Sequence, residues 1–281
     1  VSAWSVDRES LLYSLPIHGS SIKRVLVTKD TASVISLDHK GRVRVSFPER
    51  LVTPARTLVA DEDRELTSIT WSPTGEYVFG LSSWGRVYGW DPATCKLLHS
   101  ADSHAVRAPQ RTGSCAGSIS WTTLHGLVTV CDDGIAVSWN SALQESRQIA
   151  HLWLRWSQVG ISPNGRWLAV CMAYNDARII DLSSDSVVYE LPKTHLRSCI
   201  WTADSSRVFV VPRNSGEPHH YWDATTKATT EWECPFPKST LQCLALDITG
   251  QMLTLGLNDG RIQVVDTKSG TQPARFQAHA G

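Results

Sequence analysis

A short β-rich run, usually ending in an aromatic or apolar residue and often followed by Asp, recurs about every forty-odd residues along this chain. The copies end at Trp4, Ser46, Trp90, Trp139, Ile180, Trp222 and Val265. Subtraction of these positions gives spacings of 42, 44, 49, 41, 42 and 43 residues. A period that is held along the whole chain predicts a repeat architecture, in which each unit buries its apolar face against its neighbours.

The second repeat shows the expected local structure most clearly. Residues 66–71 alternate apolar and polar side chains, which is the period of a half-buried strand. Residues 77–81 are apolar throughout, which indicates a strand that is covered on both faces. Pro73 and Gly75 provide turn chemistry between these two strands. Two further strands are predicted at residues 86–90 and 96–99, so that one repeat is a meander of four antiparallel strands.

The same pattern predicts six complete four-stranded repeats, and no segment has a helical period. The repeats are predicted at residues 20–60, 65–100, 115–150, 155–191, 196–233 and 240–277. Residues 1–16 have the pattern of the last two strands of another repeat. Asp-Gly and Lys-Gly pairs between the second and third strands supply the positive φ that a hairpin turn needs. The chain is therefore predicted to be all-β.

The motif at the end of the third strands resembles that of the WD-repeat β-propeller family. Trp90-Asp91 and Trp222-Asp223 are copies of the dipeptide that names the family, and Ser-Pro-x-Gly after a first strand also matches it. Degenerate copies are Trp139-Asn140, Val265-Asp266 and Ile180-Asp181. The resemblance covers the whole chain and implies a single propeller domain over residues 1–281, built from four-stranded blades.

The number of blades has two interpretations. Six complete blades and a half blade at residues 1–16 suggest a seven-bladed parent, and the alternative is a closed six-bladed ring with residues 1–16 packed as an appendage. Because the chain starts at Val1 inside a repeat, it is expected to be a piece of a longer polypeptide. Divergent WD repeats in such a piece resemble the C-terminal arrays of fungal NACHT-type signal-transducing NTPases.

The chain departs from the family in its polar residues. The best repeats of the family carry Gly-His before the first strand, Asp in the turn before the third strand, and the Trp, and a His–Asp hydrogen-bond network then ties turn to strand. Gly-His does not occur in this sequence, and no repeat has the complete set. The blades are therefore expected to be irregular and to be held together by apolar burial. Trp90, Trp139 and Trp222 are predicted to be packing residues.

Charge and cysteine content narrow the class of function. The 27 basic and 27 acidic residues balance, which argues against a dedicated nucleic-acid binder. The seven Cys form no C-x-x-C pair and are interpreted mainly as buried thiols in a reducing compartment. No signal peptide and no membrane-length apolar run occur. The predicted location is the cytoplasm, with the nucleus as the alternative, and neither a cofactor nor a membrane partner is expected.

The resemblance also implies where a partner binds. In propellers, the loops before the first strand and between the second and third strands emerge on one face around the channel, and family members typically bind partners there. Candidate partner-binding residues on that face are Trp84, Trp153, Arg155, Tyr174, His195, Arg197, Arg213 and His219, with His220 beside them. Trp84 and Trp153 stand outside the periodic core pattern, and aromatic and Arg residues are enriched at binding hot spots.

The leading hypothesis is a non-catalytic scaffold that binds a protein or peptide on this loop face. His219 and His220 are adjacent on a strand, so they point to opposite faces and are not predicted to hold a metal ion together. No H-E-x-x-H, G-x-S-x-G or nucleotide-binding loop occurs, and no catalytic residues are assigned. The alternatives are a ligand-sensing module of a signal-transducing NTPase and a propeller enzyme, either a hydrolase or a dehydrogenase.

Overall fold

The computed structural model describes the strands and most of the short turns of this chain. The described residues are 2–5, 10–14, 19–20, 22–27, 33–47, 56–60, 65–102, 117–131, 133–151, 156–172, 177–191, 196–212, 219–232, 241–247, 249–269, 271–272 and 274–277. At residues 2–5, 10–14, 156–158, 172, 191, 196–197, 212, 232, 241–243 and 276, only the backbone is described. Strands, turns and bends make up this part of the chain, without a helix.

Two compact units divide the fold. The first comprises residues 15–155 with residue 1, and the second comprises residues 2–14 and 156–281. The first two strands of the chain, β1 (Ser2–Ser5) and β2 (Ser10–Ser14), pair antiparallel as a two-stranded sheet and belong to the second unit.

The first unit contains three four-stranded antiparallel sheets, which we call blades 1, 2 and 3. Blade 1 consists of β3 (Ile22–Val27), β4 (Val34–Asp38), β5 (Val43–Ser46) and β6 (Arg56–Leu58). Blade 2 consists of β7 (Leu66–Trp71), β8 (Val78–Ser82), β9 (Arg86–Trp90) and β10 (Leu97–Asp102). Blade 3 consists of β11 (Gly117–Thr122), β12 (Gly126–Cys131), β13 (Ile135–Trp139) and β14 (Ser146–His151).

The second unit contains three more sheets of the same kind, blades 4, 5 and 6. Blade 4 consists of β15 (Trp156–Ile161), β16 (Trp167–Met172), β17 (Ala177–Asp181) and β18 (Ser186–Leu191). Blade 5 consists of β19 (Leu196–Trp201), β20 (Arg207–Pro212), β21 (His219–Asp223) and β22 (Ala228–Trp232). Blade 6 consists of β23 (Leu241–Leu246), β24 (Met252–Leu257), β25 (Arg261–Asp266) and β26 (Ala274–Gln277).

Every blade is a meander in which consecutive strands pair antiparallel. Six four-stranded sheets and one two-stranded sheet confirm the prediction of an all-β chain with six complete repeats and a shorter remainder. The turns have the predicted chemistry, because a glycine with positive φ stands in the expected hairpins. In the turns between first and second strands these are Gly75, Gly165 and Gly250, and between second and third strands they are Gly41, Gly85, Gly134 and Gly260.

The core of the first unit lies between neighbouring blades. In β8, Val78 packs in the apolar cluster shared with blade 1, whereas Phe79 and Leu81 pack in the cluster shared with blade 3. Successive residues of a strand point to opposite faces, so both faces of this strand are covered by protein. The burial of all of β8 confirms the prediction made from its unbroken apolar sequence.

The second unit repeats this arrangement in β20. Val208 and Val210 join the apolar cluster between blades 4 and 5, and Phe209 and Val211 join the cluster between blades 5 and 6. The hydrophobic burial that stabilises each unit is therefore distributed over blade interfaces, each of which packs one face of one sheet against one face of the next.

The tryptophans at the ends of third strands are buried, which confirms their predicted packing role. Trp90, Trp139 and Trp222 all lie in interblade clusters. The indole ring of Trp222 packs edge-on against Trp167, with 5.4 Å between ring centroids, and against Trp201 at 6.0 Å. Such edge-to-face pairs contribute stability beyond the burial of their area.

Candidate functional site

The turn between β8 and β9 presents an exposed tryptophan from a fixed backbone. The amide of Gly85, at φ 81°, donates a 3.0 Å hydrogen bond to the carbonyl of Ser82. The amide of Arg86 donates a 3.0 Å hydrogen bond to the buried Oγ of Ser82. Trp84 lies at the tip of this turn, with 54% of its surface exposed. An indole held out by a rigid turn loses little conformational freedom on binding a partner.

The turn between β4 and β5 reaches the same point of the fold. The amide of Ser83 donates a 2.8 Å hydrogen bond to the carbonyl of Glu65, just before β7. Gly41, at φ 72°, lies over the same residue, since a Cβ added to it would stand 2.5 Å from the Cα of Glu65. Residues 38–42, 65 and 82–86 are therefore continuous, and together we call them the Trp84 surface.

Asp38 fixes the blade 1 part of this surface. Its buried carboxylate accepts hydrogen bonds from Ser20 Oγ at 2.6 Å and from Arg42 Nε at 2.8 Å. The backbone amides of Lys40 and Arg42 donate to its other oxygen at 3.0 and 2.9 Å. A buried carboxylate is tolerated because its lone pairs are all used in this way.

Ser20 is a contact that the sequence analysis missed. The resemblance predicts a His after Gly as the partner of the turn Asp, and in blade 1 a Ser after Gly19 supplies the hydrogen bond instead. Gly19-Ser20 stands where Gly-His is expected, and this substitution of one hydrogen-bond donor for another could have indicated the contact. A hydroxyl donates to a carboxylate as an imidazole does, so Ser20 and Asp38 tie the segment before β3 to the turn between β4 and β5.

The charges of the Trp84 surface balance when Asp102, the partner of Arg86, is counted with them. Arg42 pairs with Asp38 at 2.8 Å, and Arg86 pairs with Asp102 at 3.7 Å. Lys40 and Glu65 are exposed and have opposite charges. Arg86 is also fixed by a 3.0 Å hydrogen bond to Ser100 Oγ. An exposed aromatic residue among charges of both signs suits a protein or peptide partner better than a polyanion, which needs clustered positive charge.

Most of the other predicted partner-binding residues lie outside the described part of the chain. Trp153 and Arg155 fall between β14 and β15, Tyr174 between β16 and β17, His195 between β18 and β19, and Arg213 between β20 and β21. The backbone of Arg197 is part of β19, and its side chain is not described.

His219 is the first residue of β21 and is half-buried. Burial, and secondarily the charge of His220, lowers the pKa of His219 to about 4. The imidazole is therefore neutral near pH 7, because its charged form is poorly solvated there. His220 is buried beside it. No three or more His, Cys, Asp or Glu among the described residues are arranged to hold a metal ion, and no helix there is long and apolar enough to cross a membrane.

Comparison with known proteins establishes the fold of the chain. No protein-family model and no curated protein matches the sequence. In three dimensions, the chain is similar to the β-propeller domain of Cps50 (Swd1) from Myceliophteria thermophila, with a TM-score of 0.72 and 12% sequence identity. The similarity covers 94% of this chain and 89% of that domain. The predicted β-propeller class is thereby confirmed.

The comparison does not extend to function. As many as 1820 solved chains match this chain in three dimensions, and one fold of this kind hosts many unrelated functions. At 12% identity, the likeness concerns the arrangement of strands and not the residues of a site. The function of this protein depends on its own side chains and not on the fold.

Proposed function

We propose that this chain is a WD-repeat-type scaffold without catalytic activity that binds a protein or peptide partner through the Trp84 surface. The observation that carries the proposal is the exposed indole of Trp84 on a turn fixed by Ser82, Gly85 and Glu65. Large aromatic side chains that are exposed on a rigid support are typical hot spots of interfaces.

The geometry of the blade supports the assignment of binding to the Trp84 surface. In an antiparallel meander, the turn between the second and third strands lies at the same end of the sheet as the loop before the first strand. The contacts of Glu65 with both Ser83 and Gly41 show that loops of two blades meet there. Binding sites are often built from loops that a rigid scaffold positions, so a surface of this kind is suited to hold a partner.

The remaining predicted residues extend this proposal. We infer that the corresponding loops of later repeats also contact a partner, each within its own unit, through Trp153, Arg155, Tyr174, His195, Arg197, Arg213 and His219. His219 is half-buried and neutral near pH 7, so it contributes to partner binding through packing more than through charge. The larger polypeptide, the cytoplasmic location and the link to a signal-transducing NTPase stay predictions, as does a single domain over residues 1–281.

The proposal is tested with a matched pair of variants. Trp84→Ala removes the exposed indole. Leu124→Ala is the control: this side chain is 63% exposed in the turn between β11 and β12, at the opposite end of the strands of its blade. Proteins captured from a cell extract by the wild type and by both variants are compared by quantitative mass spectrometry. Partners of the Trp84 surface are those that Trp84→Ala loses and Leu124→Ala keeps.

Direct binding then decides the matter. For a purified partner selected in this way, titration calorimetry is expected to show at least about tenfold weaker binding to Trp84→Ala and unchanged binding to Leu124→Ala. Equal thermal stability of the three proteins excludes misfolding as the cause. Equal affinity for wild type and Trp84→Ala would contradict the assignment of this surface.

A further inference from the structure

Two cysteines from neighbouring blades of the second unit lie against each other. Cys171 is on β16 of blade 4, and Cys199 is on β19 of blade 5. The sulfur of Cys199 lies 4.0 Å from the backbone oxygen of Ala169, and the side chains of Ala169 and Cys171 share one face of β16. Cys199 therefore reaches across the blade interface to the strand that carries Cys171.

The absence of a side chain at Gly160 leaves room for the thiol of Cys199. A Cβ added at Gly160, on β15, would stand 2.8 Å from the sulfur of Cys199. Cβ atoms do not approach sulfur so closely, so any larger residue at this position would displace the thiol. The indole of Trp201 donates a 2.9 Å hydrogen bond to the carbonyl of Gly160 and holds the two blades in this register.

The two thiols are in hydrogen-bonding contact. A hydrogen bond with Cys199 is the main cause that raises the pKa of Cys171 well above its usual value, and burial adds to it. Neither cysteine is in a disulfide; Cys171 is buried and Cys199 is half-buried. Formation of a disulfide needs the sulfurs to approach to about 2.05 Å. The two thiols therefore have to move closer together for a disulfide to form.

We propose that Cys171 and Cys199 are a reversible oxidation site whose disulfide links blades 4 and 5, with a small disulfide such as oxidised glutathione as the oxidant. The accessible Cys199 thiolate attacks one sulfur of the oxidant, forms a mixed disulfide and releases one glutathione thiolate. The Cys171 thiolate then attacks the sulfur of Cys199 and releases the second glutathione. Two thiols lose two electrons and two protons, and the oxidant is reduced to two thiols.

The buried member of the pair sets the pH dependence. Because the pKa of Cys171 is raised, little of its thiolate is present at neutral pH, and the second step speeds up as the pH increases. The half-buried Cys95 offers a control thiol of similar exposure. Its thiol is directed to the carbonyl oxygen of Pro92, at 3.6 Å, and not to a cysteine.

Peptide mapping identifies the product without ambiguity. Cleavage after arginine by trypsin places Cys171 in peptide 167–178 and Cys199 in peptide 198–207, each as the only cysteine of its peptide. The folded chain is equilibrated with defined ratios of reduced and oxidised glutathione, quenched with acid, alkylated and digested. The expected product is these two peptides joined, two hydrogen atoms lighter than their sum.

Variants make the test specific. Cys199→Ala is expected to abolish the joined peptides, and Cys95→Ala is expected to leave them unchanged. Gly160→Ala keeps both thiols but displaces Cys199, so the joined fraction is expected to fall several-fold at the same glutathione ratio. If Cys171 and Cys199 of the folded wild type were found only as free thiols or as mixed disulfides with glutathione, the proposal would be wrong.

Discussion

Trp139 Nε1 donates a 2.9 Å hydrogen bond to Thr129 Oγ1, across two strands of blade 3, and both groups are buried. Trp90, the third-strand tryptophan of blade 2, behaves differently, because it donates to the backbone oxygen of Val59 at 2.8 Å. In blade 3 the hydroxyl of the second strand satisfies the indole within its own blade. The two indoles thus find their acceptors in different places, Trp139 within its own blade and Trp90 on blade 1.

Removal of the hydroxyl should test the value of this bond. Thr129→Val leaves the indole N–H of Trp139 buried without its acceptor, and we expect a loss of about 1–3 kcal/mol in the free energy of unfolding. Urea unfolding followed by tryptophan fluorescence measures it. Thr129→Ser keeps the hydroxyl and loses only a methyl group, so it should cost clearly less than Thr129→Val. A larger loss in the Ser variant would contradict the role of the hydrogen bond.

Gly41 is expected to tolerate no side chain. Its φ of 72° and the 2.5 Å approach of an added Cβ to the Cα of Glu65 both oppose alanine. Gly41→Ala should destabilise the protein by about 1–3 kcal/mol, as judged by the urea midpoint. Gly19→Ala is the control, since a Cβ there meets nothing within 4 Å and the residue is exposed. Equal stability of the two variants would refute the packing of this turn on Glu65.

Gln263 is a buried amide at the third strand of blade 6, and neither its oxygen nor its nitrogen has a hydrogen-bond partner among the described residues. Two neighbours on the same face of the sheet, Leu255 and Val265, are apolar, and a third, Arg275 on β26, is exposed. We expect Gln263→Met to stabilise the fold by about 1 kcal/mol, because an apolar side chain of similar size has no polar group to desolvate. The exposed Gln251→Met should be neutral, and a destabilised Gln263→Met would contradict the prediction.

His219 should make stability depend on pH between about 6.5 and 4. Burial lowers the pKa of the folded state to about 4, whereas an unfolded His titrates near 6.5. The unfolded chain therefore binds a proton in this range that the folded chain does not, and stability falls as the pH is lowered. Urea midpoints measured at several pH values should show this fall, and His219→Asn should reduce it. His39→Asn, in an exposed turn, should leave it unchanged.

The predicted strands were accessible because their signals are local. The alternation in residues 66–71, the unbroken apolar run in residues 77–81 and the glycines of the hairpins follow from burial and φ preferences of single strands and turns. The position of Trp84 in a tight turn followed from the same signals, and its exposure is shown by the structure. The contacts that a residue makes with the next blade could not be predicted from the sequence of its own strand or turn.

The class of fold could be read from the sequence, because each repeat carries its own strand periods and turn residues, and several add a packing tryptophan. Which residues of different repeats meet became known only from the packing of the blades. Ser20 joins Asp38, Glu65 joins the two turns of the Trp84 surface, and Cys199 reaches Cys171. These contacts depend on how each sheet packs on the next, and a shift of one residue in register would turn every side chain to the other face. A repeat period specifies the blades, whereas the sites arise from their packing.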